Sequence, residues 1–352
     1  MKRSVRSQDR STTVDLLALA GCVDRFEGKR VVVIGDFVAD SFQFGGITRV
    51  SREAPVLILR HRQTDIVPGG AANAVNNFAA LGARVHPVST VGDDPAGETL
   101  LAYFRRKRVD VSGVLRIKGR PTPTKTRFLA GWTHTSAQQV LRVDYEPGIP
   151  VSANDSRKLQ ALAKTRIKSA DALAISDYGF GTVTPDFVRS ALTGVAREIP
   201  VSLDSRYQLT AYRRSGVTTA TPNEAELEAL HHTSIGPNTA ELERCGRSTL
   251  TDLKLASLLV TRGKDGMALF EPARPTVNLP VHGSDQAVDV TGAGDTVLAA
   301  YTLALASGAL PIEAAHIANM AGGLVVMKRG TATVTREELL HAIRAAASGS
   351  AT

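Results

Sequence analysis

Short continuous apolar runs alternate along this chain with stretches whose apolar residues return every three or four positions. The first run, Lys29-Arg30-Val31-Val32-Val33-Ile34-Gly35-Asp36, is β-branched throughout and ends in Gly-Asp. Such a run predicts a buried parallel strand with a loop of functional interest at its carboxyl end. Similar strands are expected over 84–91, 171–176, 199–204, 217–221 and 257–262. Helical periodicity predicts helices over 71–81, 95–107, 155–168, 185–197, 223–231, 294–306, 312–327 and 336–346. The alternation calls for an α/β fold with a mostly parallel sheet covered by helices on both faces. Ligands then bind beyond the carboxyl ends of the strands.

Two segments break this rhythm, 40–63 and 121–145. Phe42/Phe44, Val56/Ile58 and Val140/Val143 partly alternate with polar residues there, while Pro55 and Pro121 mark edges or turns. Both segments read as hairpin-like pieces: ordinary surface hairpins, or one small sheet projecting from the body as a lid. Upstream, residues 11–26 predict a short amphipathic helix capped by Ser11 or Thr12, with Val14, Leu17 and Leu19 on its apolar side. Residues 1–10 read as a tail. There is no tandem repeat and no long low-complexity linker.

Composition narrows the class. Of 352 residues, 43% are hydrophobic and 22% charged, which excludes disorder over most of the chain. Two cysteines, Cys22 and Cys245, exclude a disulfide scaffold and a four-cysteine zinc site, and a reducing cytoplasm is expected. No apolar stretch approaches the ~20 residues of a membrane span, and the start leads into no signal-peptide core. The formal net charge of +8 suits nucleic acid, an anionic membrane or a phosphorylated small molecule equally. Part of it is local. Lys2, Arg3, Arg6 and Arg10 face only Asp9, and Arg105-Arg106-Lys107-Arg108 follows Leu100, Leu101 and Phe104 as the solvated last turn of a helix. No nucleic-acid motif accompanies either cluster.

The densest chemical signal is Asp289-Val290-Thr291-Gly292-Ala293-Gly294-Asp295-Thr296, directly before an apolar helix. Small residues let amides converge at a helix N-terminus, where unpaired donors and the helix dipole hold an anion. Asp295 on that turn suits a general base that deprotonates a hydroxyl attacking phosphorus. A Gly-rich turn that merely caps a helix is the plain alternative. Asn223 and Glu226, three apart where a helix opens, could hold hydrated Mg²⁺ or simply form a reciprocal cap. Gly69, Gly70 and Asn73 allow a ligand close to the backbone, and Asp36 and Asp40 could accept bonds from sugar hydroxyls. Leu259 to Gly266 reads as strand, glycine turn and strand, passing beneath a nucleotide or forming a plain hairpin. A Walker-type phosphate loop is absent, and Gly179-Phe180-Gly181-Thr182-Val183-Thr184 lacks the third glycine of a dinucleotide fingerprint. His231-His232 lacks metal-ligand spacing and reads as surface.

Taken in order, Gly-Gly-x-x-Asn from Gly69, Asn-x-x-Glu from Asn223 and Asp-x-x-Gly-Ala-Gly-Asp from Asp289 resemble the ribokinase-like (PfkB) carbohydrate kinase family. The resemblance covers about residues 28–346. It implies a three-layer α/β/α sandwich with a small β-sheet lid from strands within about 40–66 and 118–145, an N-terminal extension over 1–27 and a tail over 347–352. Further residues resemble the members that phosphorylate D-glycero-β-D-manno-heptose 7-phosphate at O1, a kinase often fused to an adenylyltransferase. They include Gly35-Asp36 through Asp40, Arg49-Val50-Ser51-Arg52-Glu53-Ala54-Pro55-Val56, Thr124-Lys125-Thr126-Arg127, Gln138 through Asp144, Ser176-Asp177-Tyr178 and Lys328-Arg329-Gly330-Thr331.

The resemblance implies ATP-dependent transfer of the γ-phosphoryl group to a sugar hydroxyl. Asp295 would be the base, and the amides of Gly292, Ala293 and Gly294 the anion hole. Asn223 and Glu226 would position Mg²⁺ through water, while Thr261, Gly263, Gly266 and Asn319 would flank the nucleotide. Asp289 falls where family members often bind a monovalent cation such as K⁺. Asp36, Asp40, Gly69, Gly70 and Asn73 would meet sugar hydroxyls. Arg49, Lys125, Arg127 and Arg142 would meet the acceptor's own phosphate, unless they are solvated edge charges. A cytoplasmic homodimer pairing through its lid strands is expected, without nucleic acid or membrane as partner. A family kinase of another acceptor (fructose phosphate, a plain sugar or a nucleoside) and a non-catalytic sugar-phosphate sensor stay open.

Overall fold

The computed structural model describes residues 14–131, 137–195, 198–283 and 286–349. The basic tail 1–10, the cap at Ser11 or Thr12, residues 196–197 of the helix expected over 185–197, and the end of the tail at 350–352 lie outside the described residues.

The chain begins with α1 (Leu16–Asp24), β1 (Arg30–Gly35), β2 (Phe37–Val50), β3 (Leu57–Gly70), α2 (Ala71–Ala80), β4 (Arg84–Gly92) and α3 (Pro95–Arg106). It continues through β5 (Val114–Ile117), β6 (Thr124–Gly131), β7 (Gln138–Tyr145), α4 (Ala153–Ile167), β8 (Ala172–Asp177), α5 (Pro185–Leu192), β9 (Val201–Ser205) and β10 (Thr219–Ala220). Then come α6 (Glu224–His231), α7 (Thr239–Leu253), β11 (Ser257–Thr261), β12 (Met267–Phe270), β13 (Val277–Leu279), α8 (Ala293–Ala306), α9 (Pro311–Val325) and α10 (Arg336–Ala347).

Among the described residues nine strands form the large sheet, in the order β13-β12-β11-β10-β9-β8-β1-β4-β5. All pairings are parallel except those of β11 with β12 and β12 with β13. The alternation of side chains along β1 explains the two cores. Val31 and Val33 face a layer containing α1, α2, α3, α8, α9 and α10, whereas Val32 and Ile34 face α4, α5, α6 and α7. A strand buried on both faces must be apolar at every position, which is the run first seen in the sequence. Strand order reverses around β1, which lies between β4 and β8, so the crevice at their carboxyl ends is the natural ligand site.

The two irregular segments form one four-stranded sheet, β3-β2-β6-β7, projecting from the body. β2 pairs antiparallel with β3 and parallel with β6, and β6 pairs antiparallel with β7. The lid alternative is therefore the correct one.

Several expectations need correction. Helix α1 starts later than expected, at Leu16, because the Asp15 carboxylate caps it by accepting from the Leu17 amide at 2.9 Å. α5 ends at Leu192, and Gly194 with φ +80° turns the chain out of the helix. β5 and α7 were not anticipated. His231 is half-buried and hydrogen-bonded to Thr249 Oγ1 at 2.8 Å rather than lying free on the surface, whereas His232 is exposed at the C-cap of α6. The cluster Arg105 to Arg108 is exposed at the end of α3, as expected. Among the described residues no helix is long and apolar enough to cross a membrane.

Candidate active site

The turn before α8 carries the geometry its sequence suggested. Gly292 is the N-cap of α8 with φ +80°, and no side chain caps the helix. A Cβ at Gly292 would run into the Asn73 amide nitrogen, so glycine is required for both conformation and space. The first turn thus presents main-chain donors and the positive end of the helix dipole to the crevice. Of the three amides expected as an anion hole, that of Ala293 donates to the Val290 carbonyl at 3.3 Å.

Asp295 sits on this first turn and is only 4% exposed. Its Oδ2 accepts from Asn73 Nδ2 at 2.7 Å, while its Oδ1 is buried without a partner among the described residues. Asn73 is oriented in turn by Asn77, whose Nδ2 donates to the Asn73 carbonyl at 3.0 Å and to Asn73 Oδ1 at 3.3 Å. Thr296 Oγ1 donates to Asn77 Oδ1 at 2.7 Å and closes the network between α2 and α8. Burial pushes the Asp295 carboxyl up to about 7; the Asn73 bond opposes that shift and the Asp40 charge adds to it. A carboxyl so poised exchanges a proton near neutral pH, as general-base chemistry needs.

Three adjoining cavities meet at this turn. A small one of about 150 Å³ lies under the lid and is lined by Asp40, Gly69, Gly70, Asn73, Lys125, Arg127, Arg142, Tyr178, Arg206, Thr291, Gly292, Asp295 and Thr331. Gly70 reaches it as the N-cap of α2 with φ +55°, where a Cβ would press on the Asp36 carbonyl. Arg127 Nη1 meets Asp40 Oδ1 at 2.5 Å, and its guanidinium lies 5.2 Å from the Phe42 ring centre. Arg142 holds Asp144 with both Nε and Nη2, at 2.7 and 2.5 Å. Lys125 lies 5.1 Å from the centre of the Tyr178 ring, and burial pushes its ammonium pKa down against the pull of Asp40.

The second cavity, of about 500 Å³, contains Asp177, Tyr178, Asp204, Arg206, Asn223, Glu226, Thr261, Gly292, Gly294 and Asp295 in its lining. Asn223 and Glu226 form the reciprocal cap: Asn223 Oδ1 accepts from the Glu226 amide at 2.8 Å, and Glu226 Oε2 from the Asn223 amide at 3.0 Å. They still border the cavity, and burial pushes the Glu226 carboxyl up. Asp204 is pushed well up by burial, then by the charges of Glu226 and Asp295. The third cavity, of about 370 Å³, brings together Thr261, Gly263, Gly266 and Asn319 with apolar walls from Met267, Val281, Val290, Val297 and Val326.

Three expected site residues stand elsewhere. Asp36 lines none of these cavities. Its carboxylate accepts the amides of Tyr178 and Phe180, each at 3.0 Å, and of Thr182 at 2.9 Å, so it fastens a loop instead of reaching a ligand. Arg49 is exposed near the far end of β2, outside the cavities. Asp289 accepts the amides of Thr291 and Gly330, each at 2.9 Å, and ties the turn before α8 to the segment after α9. Asp204, Arg206 and Tyr207 were missed, and Tyr178 was noted only within the resemblance. All four lie at or just beyond the carboxyl ends of β8 and β9, and only the sheet order reveals that these ends adjoin the α8 turn.

The pfkB family carbohydrate kinase pattern matches residues 29–338, and this chain belongs to that family. Bifunctional protein HldE of Geobacter metallireducens is 40% identical over 312 residues, covering 88% of this chain and 62% of that protein. The protein of the same name from Mesorhizobium japonicum is 38% identical over 327 residues, covering 91% and 63%. The chain therefore spans less than two thirds of the length of these relatives. Among solved structures, Arabidopsis thaliana ribokinase complexed with ribose and ATP superposes with a TM-score of 0.70 at 20% identity, covering 90% of this chain and 99% of that one. Phosphofructokinase-2 from Escherichia coli gives 0.72 at 18%, covering 91% and 99%. The fold is thus the expected ribokinase-like α/β fold with a small lid sheet.

Proposed function

We propose that this chain is an ATP-dependent sugar kinase whose acceptor is a phosphorylated sugar, D-glycero-D-manno-heptose 7-phosphate taken at O1. The observation that carries the reading is the unpartnered Oδ1 of Asp295 at the seam between the lid cavity and the larger cavity. The acceptor lies under the lid, with its hydroxyl against Asp295 and sugar hydroxyls within reach of Asp40 and Asn73. Lys125 and Arg142 are the cations for its phosphate; Arg127 fixes Asp40. The nucleotide base takes the apolar cavity beside Asn319 and Val326, and the triphosphate runs towards the amides of Gly292 and Gly294. Asp295 takes the hydroxyl proton, the oxygen attacks the γ-phosphorus and the bond to the β-phosphate oxygen breaks, releasing ADP. The lid keeps water from competing for the phosphoryl group.

The donor set suits a hydrated divalent cation. Among the described residues no three His, Cys, Asp or Glu side chains are grouped to grip a metal directly, yet Asp204 and Glu226 bring two carboxyl groups to the cavity wall. Mg²⁺, which keeps several waters, would be held there by Asn223, Glu226 and Asp204, and when bound it supplies neutralising charge to the phosphates. The Asp289 carboxylate is engaged by two main-chain amides, so no step is assigned to a monovalent cation. Residues 28–346 act as one kinase unit in the cytoplasm. The lid carries exposed Val50, Leu57, Val140, Leu141 and Tyr145, which supports pairing of two copies through lid strands.

The test is product identification. The chain with ATP and Mg²⁺ is offered heptose 7-phosphate, fructose 6-phosphate, ribose and adenosine, and phosphorus NMR locates the new phosphate. Transfer to O1 of heptose 7-phosphate is expected. Preference for an unphosphorylated acceptor would remove the role given to Lys125 and Arg142.

A further inference from the structure

We infer that Arg206 is a catalytic residue of this kinase, holding the transferring phosphoryl group between nucleotide and acceptor. The inference rests on the function proposed above. Tyr178, Arg206, Gly292 and Asp295 are the residues common to the lid cavity and the larger cavity. Asp295 is the base and Gly292 opens the anion-binding turn, so a group lining both cavities with them faces the point where the phosphoryl group changes hands.

The charge pattern supports the same role. Asp177, Asp204, Glu226 and Asp295 all line the larger cavity, and Arg206 is the one cation among its described lining residues. A triphosphate entering beside these acidic groups needs positive charge at its reacting end, and Arg206 is placed to supply it. Arg127 is bound to Asp40, and Arg142, beside Asp144, lines the lid cavity alone, whereas Arg206 lines both cavities and lies 5.6 Å from the centre of the Tyr207 ring with no carboxylate within ion-pair distance among the described residues. Its backbone is fixed, since the Arg206 amide donates to the Asp177 carbonyl at 3.1 Å and anchors the residue just beyond β9. A guanidinium presents its donors as a planar fork that matches two equatorial phosphoryl oxygens, where the charge of the transition state gathers.

In the step itself, the acceptor oxygen forms its bond to the γ-phosphorus as the bond to the β-phosphate oxygen breaks. Asp295 receives the proton and ADP carries away the electron pair. Arg206 bonds the equatorial oxygens as charge gathers on them in the transition state and neither gains nor loses a proton.

The test compares wild type, Arg206→Gln and Arg206→Lys in steady-state phosphoryl transfer. Thermal melting and the binding of a non-hydrolysable ATP analogue are followed alongside. Loss of a transition-state contact predicts kcat lower by roughly 10²–10³-fold in Arg206→Gln, with both KM values and analogue affinity within about threefold. Arg206→Lys should recover part of that loss and stay roughly tenfold below wild type, because charge returns without the fork. If Arg206→Gln does not fold, the lysine variant decides alone. A kcat within about threefold of wild type in the folded variants overturns the inference. So does a rise in acceptor KM with kcat retained, which would assign Arg206 to the acceptor's own phosphate. A wild-type protein inert toward every acceptor overturns the proposed function and this inference together; failure confined to the Arg206 variants overturns only the latter.

Discussion

Asp36 and Asp295 are both buried aspartates, 1% and 4% exposed, and burial pushes both carboxyls up. One follows the end of β1 and the other opens α8. Their bonding separates them. Asp36 accepts three main-chain amides and knits β1 to the 178–182 loop, whereas Asp295 accepts one side-chain amide and keeps a bare buried oxygen. A buried carboxylate with its acceptors filled is a structural fastener. One left half-satisfied at a cavity wall stays open to an incoming group, as the base role proposed for Asp295 requires, and its burial carries a stability cost.

The largest stability effect is expected where the fastener is cut. Asp36→Ala leaves three amides without an acceptor, that of Thr182 buried and those of Tyr178 and Phe180 part-buried, at a cost of roughly 3–5 kcal/mol, read as a lowered denaturant midpoint. Asp295→Asn should act in the opposite direction. The folded carboxyl titrates at about 7 against 3.8 unfolded, so its protonated form favours the fold. That contribution is fully present below about pH 4 and is lost as pH rises through about 7. At pH 8 the wild type bears the whole penalty and the asparagine variant does not. Asp295→Asn should therefore be more stable at pH 8 by up to roughly 2–4 kcal/mol, with the difference vanishing near pH 4. A loss of stability at pH 8 would place Asp295 with the fasteners.

The smallest effect sharpens the contrast. Asn73 supplies the single side-chain bond to Asp295, and that bond lowers its pKa. Asn73→Ala should shift the acidic limb of the kcat profile, taken at saturating acceptor, upward by about one pH unit, with most of kcat regained at high pH. An unmoved limb would mean that the Asn73 bond does not set the proton affinity of the base.

How much of this was legible in the sequence depended on how locally each feature is encoded. The α8 turn could be read because its glycines, its carboxylate and its helix are contiguous. The strands at 30–35 and 257–261 could be read because burial on both faces demands unbroken apolar runs. α7 was missed because its buried face uses Cys245, Gly246 and Thr249 beside Leu242, Leu250 and Leu253, so the apolar stripe is diluted. β5 has four residues, too few for a periodicity. Asp36 was misread because its sequence position by the ligand edge is right, while the loop that occupies it lies about 140 residues further along. Arg206 and Asp204 carry no local motif; they reach Asp295 only through the order of β8 and β9 in the sheet.

The most direct measurement is kcat/KM for the acceptor across pH 5 to 9 in wild type and Asp295→Asn. A base that titrates near neutrality predicts a wild-type limb rising through an apparent pKa of about 7, and a variant slower by roughly 10³-fold or more with that limb gone. A variant that keeps the same limb and most of the rate would contradict the assignment of Asp295 as the base.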